Sequence, residues 1–312
     1  MKTVLVTGGN GMMGNAIRLI KNKYENYKYV FMKREDCDLM DWEQTYNFFC
    51  KVKPDYVIHL AAYVGGLFKN MNYKLDMLER NVTINTNVLK ASHKIKVKKL
   101  ISCLSTCIFP DKTSYPIDEN MLHDGPPHNS NEGYAYAKRL LEIHSRAYRE
   151  QYNDNFVCVI PTNIYGPYDN YNLNDAHVIP SLIHKCYISK ENDEQFVVCG
   201  TGNPLRQFIY SEDLANLFMW VLENYDERES IILSVSEKDE KTIKDVAYLI
   251  KEKMGYNKEI VFDSSKEDGQ YKKTADNTKL MKAIKDFKFT SIEEGISKTV
   301  DWFIENYENC RK

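Results

Sequence analysis

The sequence predicts an α/β protein: a Rossmann-like, doubly wound parallel sheet followed by a smaller C-terminal α/β lobe. Three observations predict it. Short β-branched runs alternate with longer helical patterns through the first half of the chain. Some of those runs, such as residues 56–61, are near-continuously apolar, as strands buried on both faces are. The first run is followed at once by glycines that open a helix. At 312 residues the chain has room for two lobes at roughly 150 residues each.

The elements follow in order. Residues 3–7 read as a strand. Residues 11–21 read as a helix, with Met13, Ile17 and Ile20 on one face. Residues 27–32 form a strand, and 41–51 a helix that Pro54 ends. Strand 56–61, helix 75–92 and strand 100–104 continue the alternation. A loop rich in Pro, Asp, Asn and Gly covers 110–132. A charged helix spans 132–152, with Leu140, Ile143 and Ala147 on one face, and a strand spans 156–161. Strands joined this way make right-handed crossovers. After Gly166 the texture changes. Residues 169–176 are a polar, Asn-rich loop. Helices are expected at 178–188, 214–223, 242–254 and 292–307, with strands at 196–199 and 231–235. The expected division is 1–167 for a dinucleotide-binding domain and 168–312 for a substrate lobe. Parts of 205–222 are expected to return to the first.

Composition bounds the function. Lys+Arg is 42 and Asp+Glu 44, a net charge of −2, so there is no basic excess for nucleic acid or a membrane surface. No apolar run reaches the ~18 residues of a membrane span, and no secretory signal opens the chain. Eight scattered cysteines without a CxxC pair predict no metal and suit reduced thiols in the cytoplasm.

The glycines at 8, 11 and 14 carry the first functional signal. At this spacing one makes a tight turn, one admits a pyrophosphate to the backbone, and one lets helix and strand pack closely. The helix N-terminus offers free N–H groups to the anion. After the second strand come Lys33 and Arg34, then Glu35 and Asp36. The adjacent cations favour the 2′-phosphate of NADP, against the bland reading of a solvated charged loop. Asp38 and Leu39 lie where an adenine pocket would be lined.

Tyr134 and Lys138, four apart near a helix start, share a face. A phenol is a poor acid–base group near neutrality unless its anion is stabilised, and an ammonium does that. Ser105, at the end of a strand, can donate a second hydrogen bond to a substrate oxygen.

Together, Thr7–Gly14, His59-Leu-Ala-Ala62, Asn81–Val88, Ser105-Thr-Cys107, the Tyr134/Lys138 pair and Pro161–Pro167 resemble the extended short-chain dehydrogenase/reductase superfamily. Ala61–Gly66, Ser105–Pro110 and His177–Ser181, with Pro167–Asn170 and Arg206–Phe208, narrow the resemblance to its sugar-nucleotide 3,5-epimerase/4-reductases. That resemblance implies NADPH-dependent conversion of GDP-4-keto-6-deoxy-D-mannose to GDP-L-fucose. It implies Cys107 and His177 as the acid–base pair at C-3 and C-5, and Ser105, Tyr134 and Lys138 for reduction at C-4. It implies NADP(H) held by Gly8, Asn10, Gly11, Met12, Met13, Gly14, Lys33, Arg34, Asp38, Leu39, Ala61, Ala62, Tyr134, Lys138, Pro161, Asn163, Ile164 and His177. Substrate contacts would come from Lys185, Arg206 and Asp268. Departures are Asn10, where arginine is common, and Tyr63, where lysine is common.

The chemistry agrees. A C-4 ketone acidifies both neighbouring C–H bonds, and inversion needs a base and an acid on opposite faces. Two rivals stand beside this reading: an NAD-dependent sugar-nucleotide 4-epimerase or dehydratase, and a non-catalytic NADP-sensing interaction protein. A homodimer is expected through helices 75–92 and 132–152, with Leu141 and Tyr148 as a second apolar stripe on the later helix.

Overall fold

The computed structural model describes residues 1–266 and 268–312, the side chain of Phe68 excepted. Its strands are β1 (Lys2–Thr7), β2 (Tyr27–Phe31), β3 (Tyr56–His59), β4 (Lys99–Cys103), β5 (Phe156–Pro161), β6 (Asn163–Tyr165), β7 (Val197–Cys199), β8 (Leu205–Arg206), β9 (Phe208–Tyr210), β10 (Ile231–Leu233), β11 (Lys241–Thr242) and β12 (Val261–Asp263). Its α-helices are α1 (Met12–Ile20), α2 (Trp42–Val52), α3 (Leu67–Asn72), α4 (Lys74–Lys94), α5 (Glu132–Tyr152), α6 (Val178–Glu191), α7 (Ser211–Asn224), α8 (Ile243–Met254), α9 (Thr278–Ala283) and α10 (Ile292–Glu305).

Six strands form one parallel sheet in the order β10-β5-β4-β3-β1-β2. The period-2 alternation of strand side chains divides its residues between two cores. Val4, Val6, Ile58, Ile101 and Val157 pack with Met13, Ile17 and Ile20 of α1 and Leu214 and Phe218 of α7. Leu5, Val57, Leu100, Phe156 and Cys158 face Phe49 of α2, Val88 and Leu89 of α4 and Leu141 of α5. This is the doubly wound sheet that the alternation predicted. A third core gathers α6, α8 and α10 around Ile183, Ile250 and Phe303.

Two local expectations need correction. Residues 231–233 were expected in the second lobe, but β10 is the edge strand of the main sheet, paired with Val159–Pro161. Helix α7, in the stretch expected to have parts that return to the first lobe, packs on α1, and Leu280 of α9 enters the same core. A three-residue apolar run carries no mark of which sheet it joins. Within 205–222, Leu205 and Arg206 pair with β11, whereas β9 pairs with β6. Finally, Leu141 is 1% exposed and Tyr148 packs on His93 and Phe156, so that stripe faces inward. The open face of α5 carries Tyr136, Leu140 and Ile143.

No helix among the described residues is long and apolar enough to cross a membrane, and all eight cysteines are free.

Candidate active site

The loop after β1 is shaped by sterics. Gly8 has φ +69°, and a Cβ there would lie 3.0 Å from the Ala61 nitrogen. A Cβ on Gly14 would lie 2.7 Å from the Gly8 oxygen, so α1 packs directly on the turn. Gly11 precedes α1 in an extended conformation with no side-chain cap. The first N–H groups of α1 are therefore left for an anion. Asn10 is exposed beside them and Met12 is half-buried. Lys33, Arg34 and Asp38 are exposed at the end of β2. The side chains of Met13 and Leu39 are core, so only their backbones are open to a cofactor. Ala61 and Ala62 follow β3. Pro161 ends β5, and Asn163, on β6 with Ile164, donates from Nδ2 to the Gln207 carbonyl at 3.0 Å.

Beneath this loop lies a network that sequence reasoning passed over. Thr7 Oγ1 accepts the N–H groups of Leu60 and Ala61 at 3.1 Å each. Its own proton is then directed to His59 Nδ1, 2.8 Å away. That leaves His59 Nε2 to donate to Asn85 Oδ1 at 3.0 Å. Burial, with the Lys138 charge second, pulls the His59 imidazole down to about 3, so it is neutral. Its sequence context, a histidine inside an apolar strand, gave no hint of this role.

The chemistry-bearing groups converge where β4 ends. Ser105 caps a short 3₁₀ turn, Thr106–Ile108, and its Oγ accepts the Cys107 N–H at 3.4 Å. Lys138 is 2% exposed and donates from Nζ to the Cys103 carbonyl at 2.7 Å. Its Nζ lies 5.7 Å from the centre of the Tyr134 ring. Burial raises the Tyr134 phenol well above its ordinary value, and the Cys107 and Cys103 thiols add to that. A phenol whose ordinary value is near 10 and which is raised further carries its proton near neutrality. Burial also raises the Cys107 thiol, while the Ser105 hydroxyl, Lys273 and Lys138 pull it back.

Lys273 was missed. It shares the wall of a small cavity with Cys107, Tyr115, His128, Asn131 and Gln270. Only the closing of the chain brings it there, 166 positions from Cys107.

His177 is exposed at the N-terminus of α6, with no capping bond from its side chain. Asp169 is 4% exposed, and its Oδ2 has no hydrogen-bond partner among the described residues. Burial raises that carboxyl, and the charge of His177 is the first influence opposing it. The loop before His177 is clamped. The Gly66 N–H donates to the Asp175 carbonyl at 2.8 Å, and Lys69 lies 3.5 Å from the Asp175 carboxylate. A Cβ on Gly66 would lie 2.9 Å from the Ala176 oxygen.

Lys185 points its Nζ to Cys199 Sγ at 3.7 Å. Arg206 donates to the carbonyls of Leu205 and Gln270 at 2.6 Å and of Tyr271 at 3.3 Å. It has no carboxylate partner among the described residues. Asp268 accepts from the Thr201 N–H and hydroxyl, each at 2.7 Å, which pins the turn leading to Gln270.

Residues 4–235 match the model of the NAD dependent epimerase/dehydratase family. The GDP-L-fucose synthase of Dictyostelium discoideum is 55% identical over 313 residues, covering 100% of this chain and 98% of that protein. The chain belongs to the GDP-L-fucose synthases. A probable member of the family from Drosophila melanogaster is 50% identical, with both chains covered in full. Among solved structures, a GDP-L-fucose synthetase from Naegleria fowleri bound to NADP superposes with a TM-score of 0.96. It is 49% identical and covers 100% of this chain and 95% of that one. The superfamily to which the sequence motifs pointed is thus the right one.

Proposed function

We infer that the protein converts GDP-4-keto-6-deoxy-D-mannose to GDP-L-fucose, by epimerisation at C-3 and C-5 and NADPH-dependent reduction at C-4. The observation that carries this reading is the turn at Ser105–Cys107, which brings a hydroxyl and a thiol into one site with Tyr134 and Lys138. A plain 4-epimerase or dehydratase has no evident use for that thiol. A dehydratase would want a carboxylate beside the Ser/Thr position, where this chain has Thr106 and Cys107. A silent binding protein has no evident use for Tyr134 and Lys138 together.

The residues fit a dinucleotide. Gly8 and Gly14 leave space that a side chain would fill, and the uncapped start of α1 suits a diphosphate. NADPH, when bound, supplies the hydride that reaches C-4. Lys33 and Arg34 would meet its 2′-phosphate, and Lys138 its ribose.

Cys107 and His177 exchange protons at C-3 and C-5. Ser105 and Tyr134 donate to the C-4 oxygen, where charge gathers when either neighbouring carbon loses its proton. The raised phenol of Tyr134 suits this task, since it arrives protonated and gives its proton to the new alkoxide. Arg206, Lys185 and Asp268 are assigned to the GDP end. The work divides between a dinucleotide-binding lobe and a C-terminal substrate lobe.

We also assign the protein to the cytoplasm, where its eight free cysteines stay reduced. Its assembly is a homodimer formed through α4 and α5.

The experiment mixes protein, NADPH and GDP-4-keto-6-deoxy-D-mannose. Absorbance at 340 nm should fall, and chromatography should find GDP-L-fucose. Cys107→Ser keeps shape but replaces the thiol with a far less acidic hydroxyl, which cannot serve as the base. It should yield the unepimerised GDP-6-deoxyhexose instead. GDP-L-fucose made by Cys107→Ser at the parent rate would make Cys107 a packing residue and reopen the mechanism.

A further inference from the structure

We propose that Arg139 is a positioning residue for the epimerisation half of the reaction: it fixes the turn carrying Cys107 to the helix carrying Tyr134 and Lys138. This rests on the reading of the reaction given above. Arg139 is 7% exposed, and its Nε donates to the Ile108 carbonyl at 2.5 Å. Its Nη2 is buried with no hydrogen-bond partner among the described residues. Its guanidinium lies 5.6 Å from the Tyr136 ring centre, an aromatic face that offsets only part of the charge. A buried cation with one donor idle is a poor stabiliser, because it loses hydration without full compensation. What the guanidinium does supply is a donor to the Ile108 carbonyl. The group therefore calls for a role beyond stability.

That role follows from its neighbours. Lys138 grips the Cys103 carbonyl, and Arg139 grips the Ile108 carbonyl. Two successive residues of α5 thus hold both ends of the segment from 103 to 108. Within that segment the Ile108 N–H donates to the Ser105 carbonyl at 3.2 Å, which closes the turn. Moving Ile108 moves Cys107, its direct neighbour, and reaches Ser105 only through the turn's own 3.2 Å bond, while Lys138 still anchors Cys103. Arg139 should then matter for proton transfer at C-3 and C-5 more than for hydride transfer at C-4.

Product partition tests this. Arg139→Met and Arg139→Lys would be assayed with NADPH and GDP-4-keto-6-deoxy-D-mannose, with epimerised and unepimerised products separated by chromatography. Arg139→Met should raise the ratio of unepimerised to epimerised product by about tenfold or more, a loss in keeping with a small misplacement of a reacting group. NADPH affinity should stay within about threefold, because no cofactor contact is lost. Arg139→Lys keeps the charge without the same donor and should raise the ratio about threefold. A purely structural role would slow both products together and leave the ratio alone. An unchanged ratio in both variants overturns the proposal. If Arg139→Met does not fold, an unchanged ratio in Arg139→Lys overturns it. A parent protein that makes neither product overturns the reaction itself, and this inference with it.

Discussion

Tyr134 and His59 show how burial sets the role of a titratable side chain. Tyr134→Phe removes the proton that the C-4 oxygen needs, so NADPH oxidation should fall by about 10²-fold or more. Cys107 is untouched, so deuterium from heavy water should still enter C-3 or C-5, which NMR of the sugar reads. Full reductase activity in Tyr134→Phe would refute its assignment. His59 gives a prediction about stability. Its folded value is about 3, against an ordinary 6.5. Between those values the unfolded chain binds a proton at this site and the native one does not. Stability therefore falls as pH drops through that window, by up to about 1.4 kcal/mol per unit from this group alone, and is unaffected above it. His59→Gln should be less stable at pH 7.5 but lose less on going to pH 5.5, as urea midpoints would report. Equal losses in parent and variant would mean that His59 titrates normally.

At the scale of elements, the parts written locally were legible. The glycine turn, the order of strands and helices through β5, and the Tyr134/Lys138 face all rest on neighbours a few residues apart. What could not be read depends on closure of the chain. β10 is three apolar residues, and only the edge of β5 decides where they pair. Lys273 stands in a polar stretch and Asp169 within Pro167–Asn170, and each gains its meaning only from Cys107 and His177. Helix α5 offered two apolar stripes, Leu140/Ile143 and Leu141/Tyr148. Spacing alone does not say which one faces the sheet. The cofactor loop gives a test at this scale. Lys33 and Arg34 are exposed at the end of β2, so replacing both with alanine should leave the fold intact. The preference for NADPH over NADH should shrink by roughly ten- to hundredfold, the worth of a charge-assisted contact. Equal use of both cofactors by the parent would remove the role given to these residues.

At the scale of the whole molecule, α4 and α5 lie against each other and leave an apolar face open. Leu75 is 65% exposed, Tyr136 39% and Ile143 40%. Leu78, Val82 and Leu140 are half-buried nearby in the helical register. The residues come from two adjacent helices, so a second copy related by a twofold axis would complete a four-helix packing unit. Such an interface is isologous, and one substitution enters it twice. Ile143→Glu would place two carboxylates in an apolar contact, each costing about several kcal/mol if it stays charged. The helix itself should tolerate the change, because Ile143 packs on neither sheet core. Light scattering on the parent at micromolar concentration should therefore find a particle of about twice 36.5 kDa. Ile143→Glu should move that value to the single-chain mass with little change in far-ultraviolet circular dichroism. Leu141→Glu, by contrast, should unfold the protein, because Leu141 lies in the core beneath α5. A parent that is monomeric, or an Ile143→Glu variant that stays dimeric, would show that this face is not where two copies meet.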